Sequence, residues 1–288
     1  YVFVRSGIAW MQQAHLTAND GAERDYFGVS VAVSDDTALV GMFGDDIGGS
    51  STHGSAYVFT RSGSLWTLQS KLTDADGFGN DYFGWTVALS HDVALVGAYW
   101  DDAPNALQGS AYVFTRSGTT WTQQAQLTAE EGEGYEEFGI SVALDGDTAL
   151  VGAWLDDIGA NRNQGSANVF ARSGSVWTQQ ATLTPGDAEE YDNFGWSVAI
   201  AGDTALVGAM GDDVGVNSNQ GSAYVFTRSG TNWTQQAKLT ADDGAASDFF
   251  GVAVALSNNT ALVGMWEGGS RVTSSPGSVY VFTRSGVT

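Results

Sequence analysis

The sequence predicts an all-β protein: a five-bladed β-propeller of four-stranded antiparallel blades in one domain, residues 1–288. Two observations predict it. A Phe-Gly pair returns at Phe27-Gly28, Phe83-Gly84, Phe138-Gly139, Phe194-Gly195 and Phe250-Gly251, about 56 residues apart each time, and a fixed period of that size marks a repeat architecture. Between the pairs every repeat offers four short β-rich runs punctuated by turn residues, and no segment has the periodicity of a helix of ordinary length. Radially repeated four-stranded antiparallel sheets are propeller blades.

The runs of one repeat can be justified in order. Run a, Ser30-Val-Ala-Val33 and its equivalents, is built of small residues suited to the crowded strand nearest a propeller axis. A turn as short as Ser34-Asp-Asp36 or Asp145-Gly-Asp147 follows, which suits a hairpin. Run b, Thr37-Ala-Leu-Val-Gly41, is continuously apolar, as a strand covered on both faces should be. A longer acidic loop leads to run c, Ser55-Ala-Tyr-Val-Phe-Thr60. The Arg61-Ser-Gly63 turn then leads to run d, Trp66 to Leu72, where Trp66, Leu68, Ser70 and Leu72 share one side. That alternation marks a half-buried outer strand.

The inventory of runs bears on closure. Runs a, b and d occur five times each and run c six times. The N-terminal d run, Trp10–Leu16, has no a or b run before it, and the last a, b and c runs, Val252 to Thr283, have no d run after them. The expected solution is a ring in which the 9–17 strand supplies the outer strand of the last blade and so hides a sheet edge. An open or swapped array is the alternative. Tyr1-Val-Phe3 duplicates Tyr280-Val-Phe282, so this surplus run is either a frayed end or a strand for a neighbouring subunit.

Phe-Gly at the head of each repeat, Leu-Val-Gly-Ala after run b and Gly-Ser-Ala-Tyr-Val-Phe in run c resemble the FG-GAP repeat family, the module of the integrin alpha-subunit propeller and of many bacterial surface proteins. Asp-Asp after Gly-Ala and an Asp-x-Phe-Gly join resemble its bacterial form more closely. The resemblance covers essentially the whole chain. It implies a propeller used for extracellular or cell-surface recognition and adhesion, without catalysis. Two departures limit it. The integrin-type repeat carries an Asp-rich calcium loop between its first two strands, where the turns here are two to four residues long and too short to wrap an ion that takes 6–8 oxygens. The GAP proline is also missing, as at Gly41-Met-Phe43 and Gly152-Ala-Trp154.

Composition excludes several classes. A net charge of −22 with only two lysines, Lys71 and Lys238, repels nucleic acid and anionic lipid, and suits divalent cations, basic partners or a saline medium. No cysteine is present, so neither disulfides nor thiolate metal sites hold the chain. Thirty-eight glycines against three prolines suit many tight turns. No apolar run approaches the roughly 20 residues of a membrane-spanning helix. The chain starts at Tyr1 inside a repeat with no basic or apolar leader pattern, so any signal peptide is expected to have been removed.

In an up-and-down blade the a–b and c–d turns emerge on one side of the disk and the b–c and d–a loops on the other. Most carboxylates sort to the second side: Asp45, Asp46, Asp101, Asp102, Asp156, Asp157, Asp212, Asp213 and Glu267 in b–c loops, and Asp20, Asp25, Glu130, Glu131, Asp187 and Asp192 among those in d–a loops. Two d–a clusters, Asp74, Asp76 and Asp81, and Asp242, Asp243 and Asp248, combine carboxylates with a turn glycine and are candidate calcium ligands. The opposite side carries Arg5, Arg61, Arg116, Arg172, Arg228 and Arg284, one per c–d turn. An acidic and a basic side would stack head to tail, which makes these arginines, with Tyr1 and Phe3, candidates for homo-oligomer or filament contacts.

Trp10, Trp66, Trp121, Trp177 and Trp233 recur in run d and are expected to pack between blades. Trp100, Trp154 and Trp266 follow run b at the mouth of the acidic side, and with Asp101, Asp156 and Asp212 they are the candidate contacts for a protein or glycan ligand. His15, His53 and His91 occupy unlike repeat positions and read as isolated substitutions. Acid pairs recur in every repeat, whereas an active site breaks symmetry, so the chain is expected not to be an enzyme.

Overall fold

The computed structural model describes every residue except 76, 78, 103, 104, 131, 133, 267–276 and 286–288. Its strands run β1 (Val2–Ser6) and β2 (Ala9–Ala14), then β3 (Val31–Ser34), β4 (Thr37–Met42), β5 (Ser55–Ser62) and β6 (Leu65–Leu72). The second sheet holds β7 (Thr86–Ser90), β8 (Val93–Ala98), β9 (Ser110–Ser117) and β10 (Thr120–Leu127), and the third β11 (Phe138–Asp145), β12 (Thr148–Ala153), β13 (Ser166–Ser173) and β14 (Val176–Leu183). The fourth comprises β15 (Phe194–Ala201), β16 (Thr204–Ala209), β17 (Ser222–Ser229) and β18 (Asn232–Leu239). The last holds β19 (Ala253–Ser257), β20 (Thr260–Met265) and β21 (Ser278–Thr283). Each sheet is an antiparallel meander in chain order, and no helix occurs among the described residues.

The expected runs are therefore the observed strands, and the fold is all-β with a repeated blade. The second strand of each of the first four sheets is buried along its whole length, as continuous Thr-Ala-Leu-Val-Gly demands. The first strands of successive sheets touch one another, β3 with β7, β7 with β11, β11 with β15 and β15 with β19, which explains their small residues.

The joint between sheets also explains the repeat's glycines. Gly84, Gly139, Gly195 and Gly251 of the Phe-Gly pairs adopt φ between +91° and +94°, a region that favours glycine. Each carbonyl then lies against the penultimate residue of the second strand of the preceding sheet, Gly41, Gly97, Gly152 and Gly208, so closely that a Cβ there would overlap it. The same carbonyls accept hydrogen bonds from Ser30, Thr86, Ser141 and Ser197 at 2.7–3.1 Å. The phenylalanines Phe83, Phe138, Phe194 and Phe250 are wholly buried. The motif is thus the inter-sheet contact itself.

Closure differs from the expectation. The strand expected to complete the last sheet pairs instead with β1, in the register Val4↔Met11 and Arg5↔Trp10. Among the described residues the sheet of β19, β20 and β21 has three strands. The reason is local: Tyr1–Ser6 is itself a run c, and run c followed by run d across Ser6-Gly7 is a complete hairpin at almost no loop-closure cost. This hairpin occupies the place of a blade preceding the first full sheet. Trp66 Nε1 donates to Gln13 Oε1 at 2.8 Å, repeating the Trp121–Gln69, Trp177–Gln124 and Trp233–Gln180 bonds at 2.8–3.1 Å.

Candidate functional site

The acidic side is held together largely by its own carboxylates. Each of the first four b–c loops opens with two aspartates of different fate. In three of them the first is buried against its own sheet: Asp45 accepts from Ser55 Oγ and pairs with Lys71, both at 2.6 Å. Asp101 accepts from Tyr112 OH at 2.6 Å and Gln126 Nε2 at 3.1 Å, and Asp212 from Tyr224 OH at 2.8 Å and Lys238 Nζ at 2.7 Å. The second caps the loop, with Asp46, Asp102, Asp157 and Asp213 accepting from backbone N–H groups five or six residues on. Asp101 and Asp212, named as ligand contacts, thus have their carboxylates turned into the blade, which is what Asp does in turns. Asp156 is half-buried and borders a polar depression with Tyr135, Glu136, Asp157 and Asn163.

Buried phenols answer these carboxylates. Tyr57 OH donates to Asp20 Oδ1 at 2.5 Å, and burial together with that bond pushes its pKa up to about 12. Bonds from Lys71 and Tyr57 hold Asp20 below the usual carboxylate range.

The aromatic side chains, by contrast, come together. Tyr26 stacks on Phe43 at 4.7 Å, and Phe43 meets Tyr82 and Trp85 edge-on at 5.4 and 5.1 Å. Tyr82 lies 4.6 Å from Trp100 and 5.6 Å from Tyr99. Glu137 then bridges two tryptophans, accepting from Trp100 Nε1 at 3.3 Å and Trp154 Nε1 at 2.7 Å. Trp154 in turn meets Trp196 edge-on at 4.7 Å. The result is one strip of rings crossing the joints of the first four sheets. Trp266 lies apart from it, 58% exposed and 6.4 Å from Phe249. Sequence reasoning named Trp100, Trp154 and Trp266 but missed Tyr26, Tyr82 and Trp196, which flank the Phe-Gly pairs and reach the strip only because consecutive sheets pack there.

On the opposite side the arginines do not form a free positive surface. Arg61, Arg116, Arg172 and Arg228 pair with Asp36, Asp92, Asp147 and Asp203 of their own a–b turns. Each also lies 5.2–5.6 Å from the ring centre of its d-strand tryptophan. Arg284 bonds Asn259 and Thr204, and Arg116 and Arg228 likewise reach a threonine of the preceding sheet. Those bonds brace neighbouring blades. Tyr1 stacks on His15 at 4.4 Å, and Phe3 stands opposite Gln12 in the hairpin.

The two candidate calcium clusters fare differently. The short a–b turns do not fit an integrin-type ion, since their acids are taken by the arginines. At the last joint Asp243 accepts from Tyr280 OH and Asp248 from Ala245 N–H, both at 2.6 Å, and with Asp242 they form no three-ligand group. At the first joint Asp76 lies outside the described residues. Asp74 and Asp81 do converge, joined by His53: among the described residues these alone bring three ligand atoms within 4.8 Å of one another. The hydrogen bond to Asp74 holds the His53 imidazole above its usual range although burial opposes it. The missed signal was register: His53 stands where other repeats have Gln108, Gln164 and Gln220.

A family model, the FG-GAP repeat, matches residues 10–59, 66–114, 121–170, 177–226 and 233–282. The chain belongs to the FG-GAP repeat family. Each match joins the outer strand of one sheet to the three inner strands of the next, so the family unit spans the joint where the two glycines meet. No individual curated protein matches the chain. Among the described residues no helix is long and apolar enough to cross a membrane.

Proposed function

We propose that this FG-GAP domain is a non-catalytic recognition and adhesion module of an extracellular or cell-surface protein, binding a protein or glycan through the aromatic strip. The observation that carries this reading is the strip itself, with Trp100 and Trp154 held in place by one carboxylate, Glu137. Rigid rings with a polar tip present large contact area at little entropic cost, which suits sugar stacking or a protein hot spot. The surrounding acids are engaged in loops, so they favour basic or neutral ligands by their field rather than by contact. The test is a glycan and surface-protein array probed with the intact chain and with Trp100→Ala and Trp154→Ala. Binding that falls at least ten-fold while melting temperature holds supports the reading. Ligands that bind both variants unchanged would refute it.

A second reading is a structural subunit that joins head to tail. The Trp–Gln ladder between sheets favours it: one further step pairs Trp10, 67% exposed at one end, with Gln236 at the other. That step closes a single ring or links successive copies.

A further inference from the structure

We propose that His53, Asp74 and Asp81 form a binding site for a zinc-type divalent transition-metal ion at the joint between the first two full sheets. This goes beyond the recognition reading and does not depend on it. His53 comes from the b–c loop just before β5, Asp74 follows β6, and Asp81 precedes Phe83 of the next sheet. All three are buried, and their ligand atoms lie within 4.8 Å of one another.

A second observation points to a ligand. The Asp74 side chain has no solvent exposure, and its Oδ2 has no hydrogen-bond partner among the described residues. A buried carboxylate oxygen left unsatisfied is costly, and a bound cation removes that cost. Lys71 is already matched by Asp45 and Asp20, which leaves the His53 ring as the partner of Asp74, through Oδ1 alone.

The other joints act as internal controls. Where this joint has His53, the next has Gln108, whose Nε2 donates to the Ala129 carbonyl at 3.3 Å; Gln220 donates to the Ala241 carbonyl at 3.2 Å. Asp74 stands where those joints have Ala129, Pro185 and Ala241. A neutral amide-to-carbonyl contact is thus replaced, at one joint only, by an imidazole and a carboxylate together. Both changes are needed to assemble the ligand set around the acid at position 81, whose equivalents Glu136, Asp192 and Asp248 recur without it.

The donor set decides the metal class. One imidazole nitrogen and two carboxylates suit a borderline ion, whereas calcium takes 6–8 oxygens. Tetrahedral zinc with bonds of about 2.0–2.2 Å sets its donors roughly 3.4 Å apart. The directly bonded His53 Nε2 and Asp74 Oδ1 would therefore open to admit the ion, while the other separations already lie within 4.8 Å. Gly77 covers the cluster so closely that a Cβ there would overlap His53 Nε2 and Asp74 Oδ1. A bound ion would tie the b–c loop of one sheet to the segment that leads into Tyr82 of the aromatic strip.

The experiment uses chelator-stripped full chain titrated with zinc chloride, calcium chloride or cobalt chloride, beside the double variant His53→Gln/Asp74→Ala. That variant writes the residues of the neighbouring joints into this one and so should keep the fold. The expected result is one tight zinc per chain, a zinc-dependent rise in melting temperature and visible cobalt bands of a four-coordinate site. In the variant zinc should bind at least 100-fold more weakly, with the rise and the bands lost. Equal zinc binding by the variant would assign the ion to surface carboxylates and overturn the proposal. So would calcium binding as tightly as zinc, or the absence of tight zinc, which would leave a plain imidazole–carboxylate pair.

Discussion

Leu206 and Leu262 stand at the same point of the same strand sequence, Thr-Ala-Leu-Val-Gly, yet Leu206 is fully buried and Leu262 is 40% exposed. At the other end Val33 is 69% exposed where its counterpart Leu89 is buried. The difference lies in the neighbours. β16 is covered by β19 of the next sheet, whereas no first strand of a further sheet packs over β20 among the described residues. A blade does not bury its own faces; the adjacent blade does, as in any stacked repeat. Interior joints and open ends therefore give the same residues different energetic weight.

The largest effect expected from that contrast is at the joint glycines. Gly208→Ala would drive a Cβ into the Gly251 carbonyl oxygen, a backbone atom that cannot swing aside, and should cost about 3 kcal/mol or more. Gly264→Ala, whose nearest neighbour would be Ala253 Cβ at 3.4 Å, should cost under about 0.5 kcal/mol. Urea unfolding of the two variants measures the gap. Equal losses would mean that the last sheet is covered in solution as the inner ones are.

An effect of similar kind but smaller reach separates the outer-strand tryptophans. Trp177 is buried, donates to Gln124 and lies under Arg172, so Trp177→Ala should cost about 3 kcal/mol. Trp10→Ala, at the exposed hairpin, should cost less than about 1 kcal/mol. A loss at Trp10 matching that at Trp177 would show that the two ends join, and sizing the protein would then tell a closed monomer from a head-to-tail chain of copies.

The smallest effect concerns charge at an interior joint. Asp192 is buried before Phe194, and desolvation pushes its pKa up to about 7 although it accepts a bond from the Glu189 N–H. Because the folded value lies above the ordinary 3.8, the native state holds the proton more tightly than the unfolded chain. Its contribution to stability is therefore present below about pH 4, falls as pH rises towards 7, and stays lost above. Asp192→Asn should raise melting temperature by a few degrees at pH 8 and change little at pH 4. A rise of the same size at both pH values would assign the effect to packing instead.

The sequence alone determined the repeat, the strand order within a blade, the turn positions and the all-β class. These follow from local rules: period-2 alternation, continuous apolar runs, and turn residues at fixed offsets. It also supported the plain reading of most aspartates, since Asp capping its own loop is a matter of a few residues. Only the tertiary structure decided what crosses a joint. It paired β2 with β1 rather than with β21, because a complete hairpin lay within the local sequence. It matched four of the six c–d arginines, Arg61, Arg116, Arg172 and Arg228, with an a–b aspartate of the same sheet, 24 or 25 residues away, and so dispersed the basic face. It gathered Tyr26, Phe43, Tyr82 and Trp100 from four loops into one strip. And it set His53 beside Asp74, 21 residues on, turning an apparently isolated histidine into part of a ligand set. Local pattern carries the strand because its physics is local, whereas a side chain's partner across a joint depends on how two complete sheets dock.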